Sequence, residues 1–251
     1  GNGGFGSVYS CIHVGTGRVG AIKIIHTDRL GDVEVLHRFV REIRALKAVE
    51  HPNVICIHED NLEHERDFPA FVMDFAETNL TDFVRAKWTE HKKTPILRAI
   101  DAAAVVNSMI AALHSLHSHS PRIIHRDVNP NNVLLLPDGR WVLADFGLAK
   151  FLDTVPFTTS LQTRTRQGGW GTGYYGAPEQ YLDFKNTDER TDVYALGVLV
   201  WELFTSVGPP LDRHNAGLPP SLMEVFVRSS DRNPSSRFPN VHEFSVAFRD
   251  A

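Results

Sequence analysis

Gly1, Gly3 and Gly6 form a GxGxxG run that leads into Val8. Glycines at this spacing let backbone N–H groups approach phosphate oxygens closely and take positive φ without a steric penalty. An ordinary glycine turn reads the same way, so the run alone is a weak signal. A dinucleotide-binding GxGxxG opens a helix; this one runs into the β-prone residues 7–14, which predicts a flap lying over phosphates. Lys23 follows in Ala21-Ile22-Lys23, a strand-like stretch with apolar neighbours on both sides. An ammonium held away from water there must be paired, because an unpaired buried charge is strongly destabilising. Glu42 shares a helical face with Phe39, Ile43 and Leu46, points at the sheet, and is the expected partner. The alternative is a solvated face such as Arg41, Arg44 and Lys47 offer. His114, His117 and His119 have a spacing seen in metal sites, but no carboxylate lies beside them in sequence, and metal binding is the weaker reading. Arg164 and Arg166, with Lys150 upstream, are either solvated or partners for a phosphate.

These groups need elements to hold them. Residues 7–14 and 19–26 read as a hairpin around Gly15-Thr16-Gly17, and apolar residues recur at helical spacing over 32–49 until His51-Pro52-Asn53 ends the pattern. Strands are predicted at 54–59 and 70–75. The periodicity then changes. Residues 96–117 form a long amphipathic segment, and 193–204 are apolar on nearly every face, as in a helix at the centre of a lobe. Between them, 133–136 and 141–144 read as a small hairpin around Pro137-Asp138-Gly139, and 153–173 as a polar surface loop; 219–250 return to helical periodicity. The expected architecture is α+β in two lobes, a sheet with one main helix over 1–75 and a larger, mostly helical lobe over 76–251.

Composition sets limits on function. The chain has 251 residues, 42% hydrophobic and 22% charged, which is an ordinary globular balance rather than a disordered one. Its 26 Lys and Arg against 30 Asp and Glu give a formal net charge of -4, so no global positive field draws it to nucleic acid or anionic lipid. Any polyanion must be held by a local site. Cys11 and Cys56 are too few for a disulfide framework, and a reducing cytoplasm is expected. The densest apolar run, 193–201, is far short of the ~20 residues a membrane-spanning helix needs. The opening glycines lack the pattern of a secretory leader, and the abrupt start inside a functional loop predicts a segment cut from a longer chain.

His125-Arg126-Asp127-Val128-Asn129-Pro130-Asn131-Asn132 is followed by Asp145-Phe146-Gly147 and then by Ala177-Pro178-Glu179. With the glycine run, Lys23 and Glu42 ahead of them in order and spacing, the chain resembles the eukaryotic-type (Hanks-type) protein kinase superfamily in its bacterial Ser/Thr form, over almost its whole length. The resemblance implies transfer of the γ-phosphate of ATP to Ser/Thr hydroxyls of a protein substrate. Gly1, Gly3 and Gly6 would cover the phosphates of ATP, while Val8, Ala21 and Leu134 would enclose the adenine. The backbone of Asp74, Phe75 and Ala76, behind Met73, would pair with that base. Lys23, fixed by Glu42, would hold the α and β phosphates, Asn132 and Asp145 would ligate Mg2+, and Asp127 would orient the acceptor hydroxyl and take its proton. Leu46, His125 and Phe146 would stack between the lobes, Asp192 would anchor the His125 segment, and Glu179 would pair with Arg237.

The chain departs from that family in two places. Asn129 stands where most Ser/Thr members have a lysine that donates to the transferring phosphate and to a threonine, here Thr172. An amide donates without the charge, which predicts catalysis slowed by about ten- to thirty-fold, for a loss of ~1 to 2 kcal/mol. The stretch before residue 220 is short and rich in helix breakers, which predicts loss of the substrate-docking helix. The alternative to an active enzyme is therefore a pseudokinase or weakly active ATP-binding scaffold. Arg126 beside Asp127 implies control by phosphorylation at Thr163 or Thr165, then Thr158, Thr159 or Ser160, with a homodimer as the arrangement for autophosphorylation in trans.

Overall fold

A computed structural model describes residues 6–62, 68–90, 99–152, 172–205 and 218–251. The expectations for Gly1, Gly3, the loop residues 158–166 and most of the short stretch before residue 220 lie outside these residues.

Strands β1 (Gly6–Ile12) and β2 (Val19–Ile25) form the first hairpin, in register from Gly6 opposite Ile25 to Ile12 opposite Val19. The His13 carbonyl accepts the Gly17 amide at 2.8 Å, and Gly17 takes φ of 70° to close the turn. Helix α1 (Val33–Ala48) starts where the Asp32 carboxylate accepts the amides of Glu34 and Val35. It buries Val35, Phe39, Glu42, Ile43 and Leu46. Strands β3 (Ile57–Asp60) and β4 (Ala70–Asp74) complete an antiparallel sheet in the order β1-β2-β4-β3. Side chains alternate across this sheet, so Ala21, Lys23 and Ile25, with Phe71 and Met73 opposite them, share one face. Helix α1 covers that face, with the Phe39 and Phe71 ring centroids 5.2 Å apart.

The strand expected at 54–59 starts three residues late. Its first residues bond across to the large lobe instead, with the Ile55 amide on the Leu143 carbonyl at 3.0 Å and the Leu143 amide on the Asn53 carbonyl at 2.8 Å. Asn53 Nδ2 donates to the Trp141 carbonyl and Arg140 Nη1 to the Pro52 carbonyl. The two lobes are stitched together here.

In the large lobe, β5 (Thr78–Asn79) leads into α2 (Leu80–Glu90), a helix not anticipated from the sequence. Helix α3 (Ala99–Ser118) follows, then β6 (Ile123–Ile124), β7 (Val133–Leu135), β8 (Trp141–Leu143) and β9 (Lys150–Phe151). β7 and β8 pair as the expected hairpin, with β5 added at its edge, while β6 pairs with β9. The short helices α4 (Thr172–Tyr175) and α5 (Pro178–Leu182) precede α6 (Arg190–Thr205), α7 (Pro220–Ser229) and α8 (Val241–Asp250). By length and composition α3 could cross a membrane. In the fold it is a core helix, with Ala102, Val106, Met109, Leu113 and Leu116 inaccessible to solvent. α6 runs beside it with Val193, Leu196, Leu199 and Val200 equally enclosed. Gly197 on α6 admits α7 so closely that a Cβ there would lie 1.9 Å from Ser229 Oγ.

Candidate active site

Lys23 stands in the middle of β2 and Glu42 in the middle of α1, and the packing of the helix on the sheet brings them together. Lys23 Nζ donates to Glu42 Oε1 at 2.6 Å and Oε2 at 2.7 Å, with 17% and 6% of the two side chains exposed. Burial works to lower the Lys23 pKa, but the Glu42 and Asp145 carboxylates outweigh it and raise it. For Glu42 burial prevails over the Lys23 ammonium and lifts the carboxyl to about 7. The paired reading is therefore correct, and the solvated-face alternative fails for Glu42. Val8 lies opposite Lys23, and Met73 opposite Ala21, so these residues line the same face of the sheet as the ion pair. Gly6 faces Ile25, and a Cβ there would come within 2.5 Å of the Ile24 carbonyl oxygen, a contact only glycine avoids. Asp74 ends β4, and Ala76 has neither amide nor carbonyl bonded among the described residues. Leu134 is half-buried on β7.

The segment between β6 and β7 hangs from α6. Asp192 Oδ1 accepts the Arg126 amide at 2.7 Å, and its Oδ2 accepts the His125 amide at 2.9 Å and His117 Nε2 at 2.8 Å. Burial works to raise the Asp192 pKa, but these donors and the nearby His117 and His125 hold it below the ordinary range. His117 is thus a tether, His114 is exposed, and His119 donates to the Pro121 carbonyl; the three do not meet around a metal. His125 stacks edge-on against Phe146 at 4.7 Å, and burial lowers its pKa, so the ring is neutral. Its Nε2 donates to the Ala144 carbonyl and its Nδ1 accepts the Asp127 amide. Leu46 is buried in the hydrophobic core that also holds Phe146.

Asp127 is held from both sides. Asn129 Nδ2 donates to its Oδ1 at 2.9 Å and Asn132 Nδ2 to its Oδ2 at 3.0 Å. Burial, together with the charge of Asp145, raises its pKa to about 6 against the pull of those two amides. Asn129 is therefore spent inward: its amide also reaches the Asp127 carbonyl, and its oxygen accepts the Asn131 amide. In this arrangement the Asn129 amide is turned onto Asp127.

Asp145 opens to solvent through the cleft. Burial works to raise its pKa, but Lys23, the Gly147 amide, His125 and Arg38 outweigh it and keep it ionised. Gly147 takes up Oδ1, while Oδ2 and Asn132 Oδ1 carry no bond among the described residues. Two free hard oxygens, one anionic, suit Mg2+. Arg126 and Asp145 both have left-handed backbones, φ 70° and 62°, a conformation that costs a non-glycine residue of order 1 to 3 kcal/mol and clusters at functional sites.

Two residues were missed or misplaced by sequence reasoning. Arg38 lies in the field of both Asp145 and Asp127, with burial lowering its pKa against their pull. Its signal was the four-residue spacing from Glu42, which puts both on one stripe of α1. Arg41, read as solvated, is half-buried, and burial and Arg38 lower its pKa. Arg126 is buried with its guanidinium 4.4 Å from the Phe184 ring centre, and burial lowers its pKa to about 10 against the pull of Asp192. Among the described residues its Nε and Nη2 meet no hydrogen-bond acceptor. Lys150 instead donates to the Lys185 and Thr187 carbonyls. The scaffold pair forms as expected: Arg237 Nη1 and Nη2 each meet a Glu179 oxygen at 2.7 Å.

Comparison with known proteins agrees with this geometry. The protein kinase domain family matches residues 1–250. The chain is 26% identical to the serine/threonine-protein kinase PrkC of Bacillus subtilis, over 100% of the chain and 39% of that protein. It is 28% identical to PknF of Mycobacterium tuberculosis, over 98% of the chain and 54% of that protein. It is 29% identical to PknL of the same organism, over 94% of the chain and 60% of that protein. All are named serine/threonine-protein kinases, and the chain spans about two-fifths to three-fifths of their lengths.

Proposed function

The chain belongs to the protein kinase family and, by the relatives it matches, to its serine/threonine branch; from that premise we propose that its cleft transfers the γ-phosphoryl group of ATP to Ser or Thr hydroxyls of proteins. The observation that carries this reading is the convergence of the Lys23–Glu42 pair, the ionised Asp145 and the doubly held Asp127 around one opening. Lys23 meets the α and β phosphates as a point charge, and Glu42 keeps it from collapsing onto Asp145. Asp127 accepts a hydrogen bond from the acceptor hydroxyl and takes its proton as the new O–P bond forms and the bond to the β-phosphate oxygen breaks, leaving ADP. Asn129 and Asn132 fix the direction of that carboxylate. Asp145 and Asn132 are the residues that would hold Mg2+, which when bound neutralises charge on the phosphoryl oxygens.

Two Arg126 nitrogens, Nε and Nη2, meet no acceptor among the described residues, and with Arg41 and Arg38 nearby they support a finer reading. A phosphate on Thr163 or Thr165 would satisfy them, so autophosphorylation at one of these residues is the proposed activating step. The cytoplasm is the proposed compartment of this domain.

Transfer of labelled phosphate from ATP to the chain itself and to a generic protein tests the reading, alongside Asp127→Asn, Lys23→Met and Asn129→Lys. Both acceptors should lose label in the first two variants and gain it in the third. Transfer unchanged in Asp127→Asn would overturn it. Intact-mass and peptide mapping after incubation with MgATP, showing Thr163 and Thr165 unmodified while the generic substrate is labelled, would sink the autophosphorylation step.

A further inference from the structure

Away from the cleft, one group of side chains combines three metal-ligating chemistries. Cys56, His58 and Asp74 each offer a ligand atom within 4.8 Å of the other two. They sit on the sheet face opposite α1, since Asp74 alternates with Met73, whose face carries Lys23 and Phe71. Cys56 and Asp74 meet across the ends of β3 and β4: the Asp74 amide donates to the Cys56 carbonyl at 3.0 Å, and the Cys56 amide to Asp74 Oδ2 at 3.3 Å. Ile57 lies opposite Met73 and Glu59 opposite Val72, so His58 is the extra residue of a β-bulge. A bulge re-aims the side chain it carries. His58 Nε2 comes to 2.8 Å from Asp74 Oδ1, and its Nδ1 to 3.8 Å from Cys56 Sγ.

Arg18 intrudes on this group, with Nη2 2.9 Å from His58 Nε2 and 3.5 Å from Asp74 Oδ1. The contacts conflict. A protonated Nε2 satisfies Asp74 but meets the guanidinium donor to donor, while a bare Nε2 accepts from Arg18 and turns its lone pair toward the carboxylate. A divalent cation in place of the guanidinium removes the conflict, because the imidazole Nε2 and the carboxylate then both donate to it; Cys56 Sγ, which lies on the Nδ1 side of the ring and donates to the Ile57 carbonyl at 3.5 Å, would turn about its single side-chain torsion to join them. Arg18 is 59% exposed on a flexible stem and free to swing out.

We propose that Cys56, His58 and Asp74 form a zinc site, with the Arg18 guanidinium as the cation that fills it when no metal is bound. A mixed sulfur, nitrogen and oxygen set is a zinc arrangement, and it does not suit Mg2+, which asks for an octahedron of oxygens. Binding releases the Cys56 thiol proton to solvent. Zinc here would also stiffen the segment that begins at Asp74; that consequence rests on the nucleotide reading of the cleft, whereas the site itself does not.

Cobalt(II) titration of the whole chain tests the proposal without reference to kinase activity. One equivalent should bind with a sulfur-to-cobalt charge-transfer band and the visible bands of a tetrahedral ion, displaced by Zn2+ and not by excess Mg2+. Cys56→Ser should abolish the charge-transfer band. His58→Ala should weaken binding by more than the roughly 10- to 100-fold typical of changes outside the ligand shell. Cys11→Ser should leave the band in place, and Arg18→Ala should bind at least as tightly as the parent. Far-UV circular dichroism checks that each variant is folded. Absence of the band in the parent chain, or its survival in folded Cys56→Ser or undiminished affinity in His58→Ala, would overturn the site.

Discussion

Asp127 has both carboxylate oxygens already engaged, one by Asn129 and the other by Asn132. Its acidity, near 6, is the balance of burial and Asp145 against those amides, and only the deprotonated form can take a proton. Phosphoryl transfer should therefore rise with pH through about 6. Because Glu42 must also be ionised to hold Lys23 and is lifted to about 7, the acid limb should be steeper than one proton explains. Initial rates from acid to mildly alkaline pH at saturating MgATP check this, and a flat profile would contradict it. Asn129→Ala removes one donor to the base, so it should move the acid limb upward and slow turnover by about tenfold, from ~1 to 2 kcal/mol of lost hydrogen bonding. The pairing of Lys23 with Glu42 was legible because a buried cation demands a partner and helical spacing offered one. The inward turn of Asn129 was not, because it depends on a backbone loop that returns its amide to Asp127, and no spacing encodes that.

Elements are held by a few contacts whose loss is diagnostic. Arg237 has no exposed side-chain surface and closes on Glu179, which is one-fifth exposed. Removing either partner strands the other, so Arg237→Ala should destabilise the domain by about 3 to 5 kcal/mol in denaturant unfolding. Burial works to raise the Glu179 pKa, but Arg237 and Thr191 depress it below the ordinary carboxylate range. That stabilisation is present above the unfolded pKa and is lost as pH falls through the depressed folded value, so the gap between the parent and Glu179→Gln should close in acid. Gly197→Ala should destabilise the packing of α6 on α7 by about 1 to 3 kcal/mol. Ser229→Ala should not rescue it, since the new methyl would also lie 2.7 Å from Ser229 Cβ. The sheet, α1, α3 and α6 were readable because their apolar periodicity is continuous. Helix α2 was not, since Leu80, Phe83 and Val84 are followed by the polar Arg85 and Lys87, and its place is set by Phe83 against Trp141 at 5.3 Å. The late start of β3 likewise follows from Ile55 bonding to the other lobe, a tertiary choice.

For the whole molecule, the sheet lobe and the helical lobe are not independent bodies. The bonds from Asn53 and Ile55 to Leu143 and from Arg140 to Pro52 tie the lobes on one side, and Lys23 faces Asp145 across the other. Nucleotide filling the cleft should stabilise both lobes together. At a hundredfold excess over its dissociation constant, MgATP should add about 2.7 kcal/mol and raise the melting midpoint by roughly 5 to 10 °C in a single transition. Thermal unfolding with and without MgATP checks this; Asp145→Ala should lose most of the shift, and an unshifted midpoint in the parent would contradict nucleotide binding. The order of motifs made the lobes legible, whereas the stitching between them rests on backbone and side-chain bonds between segments 88 residues apart, which no local pattern encodes. The left-handed backbones of Arg126 and Asp145 carry a practical warning for anyone breeding a hardier version of this domain. Glycine at either position would relax the chain and pass a heat-tolerance screen as an improvement. The winners of such a screen would be sturdier proteins that had discarded the groups they were kept for, so heat tolerance and turnover have to be selected side by side.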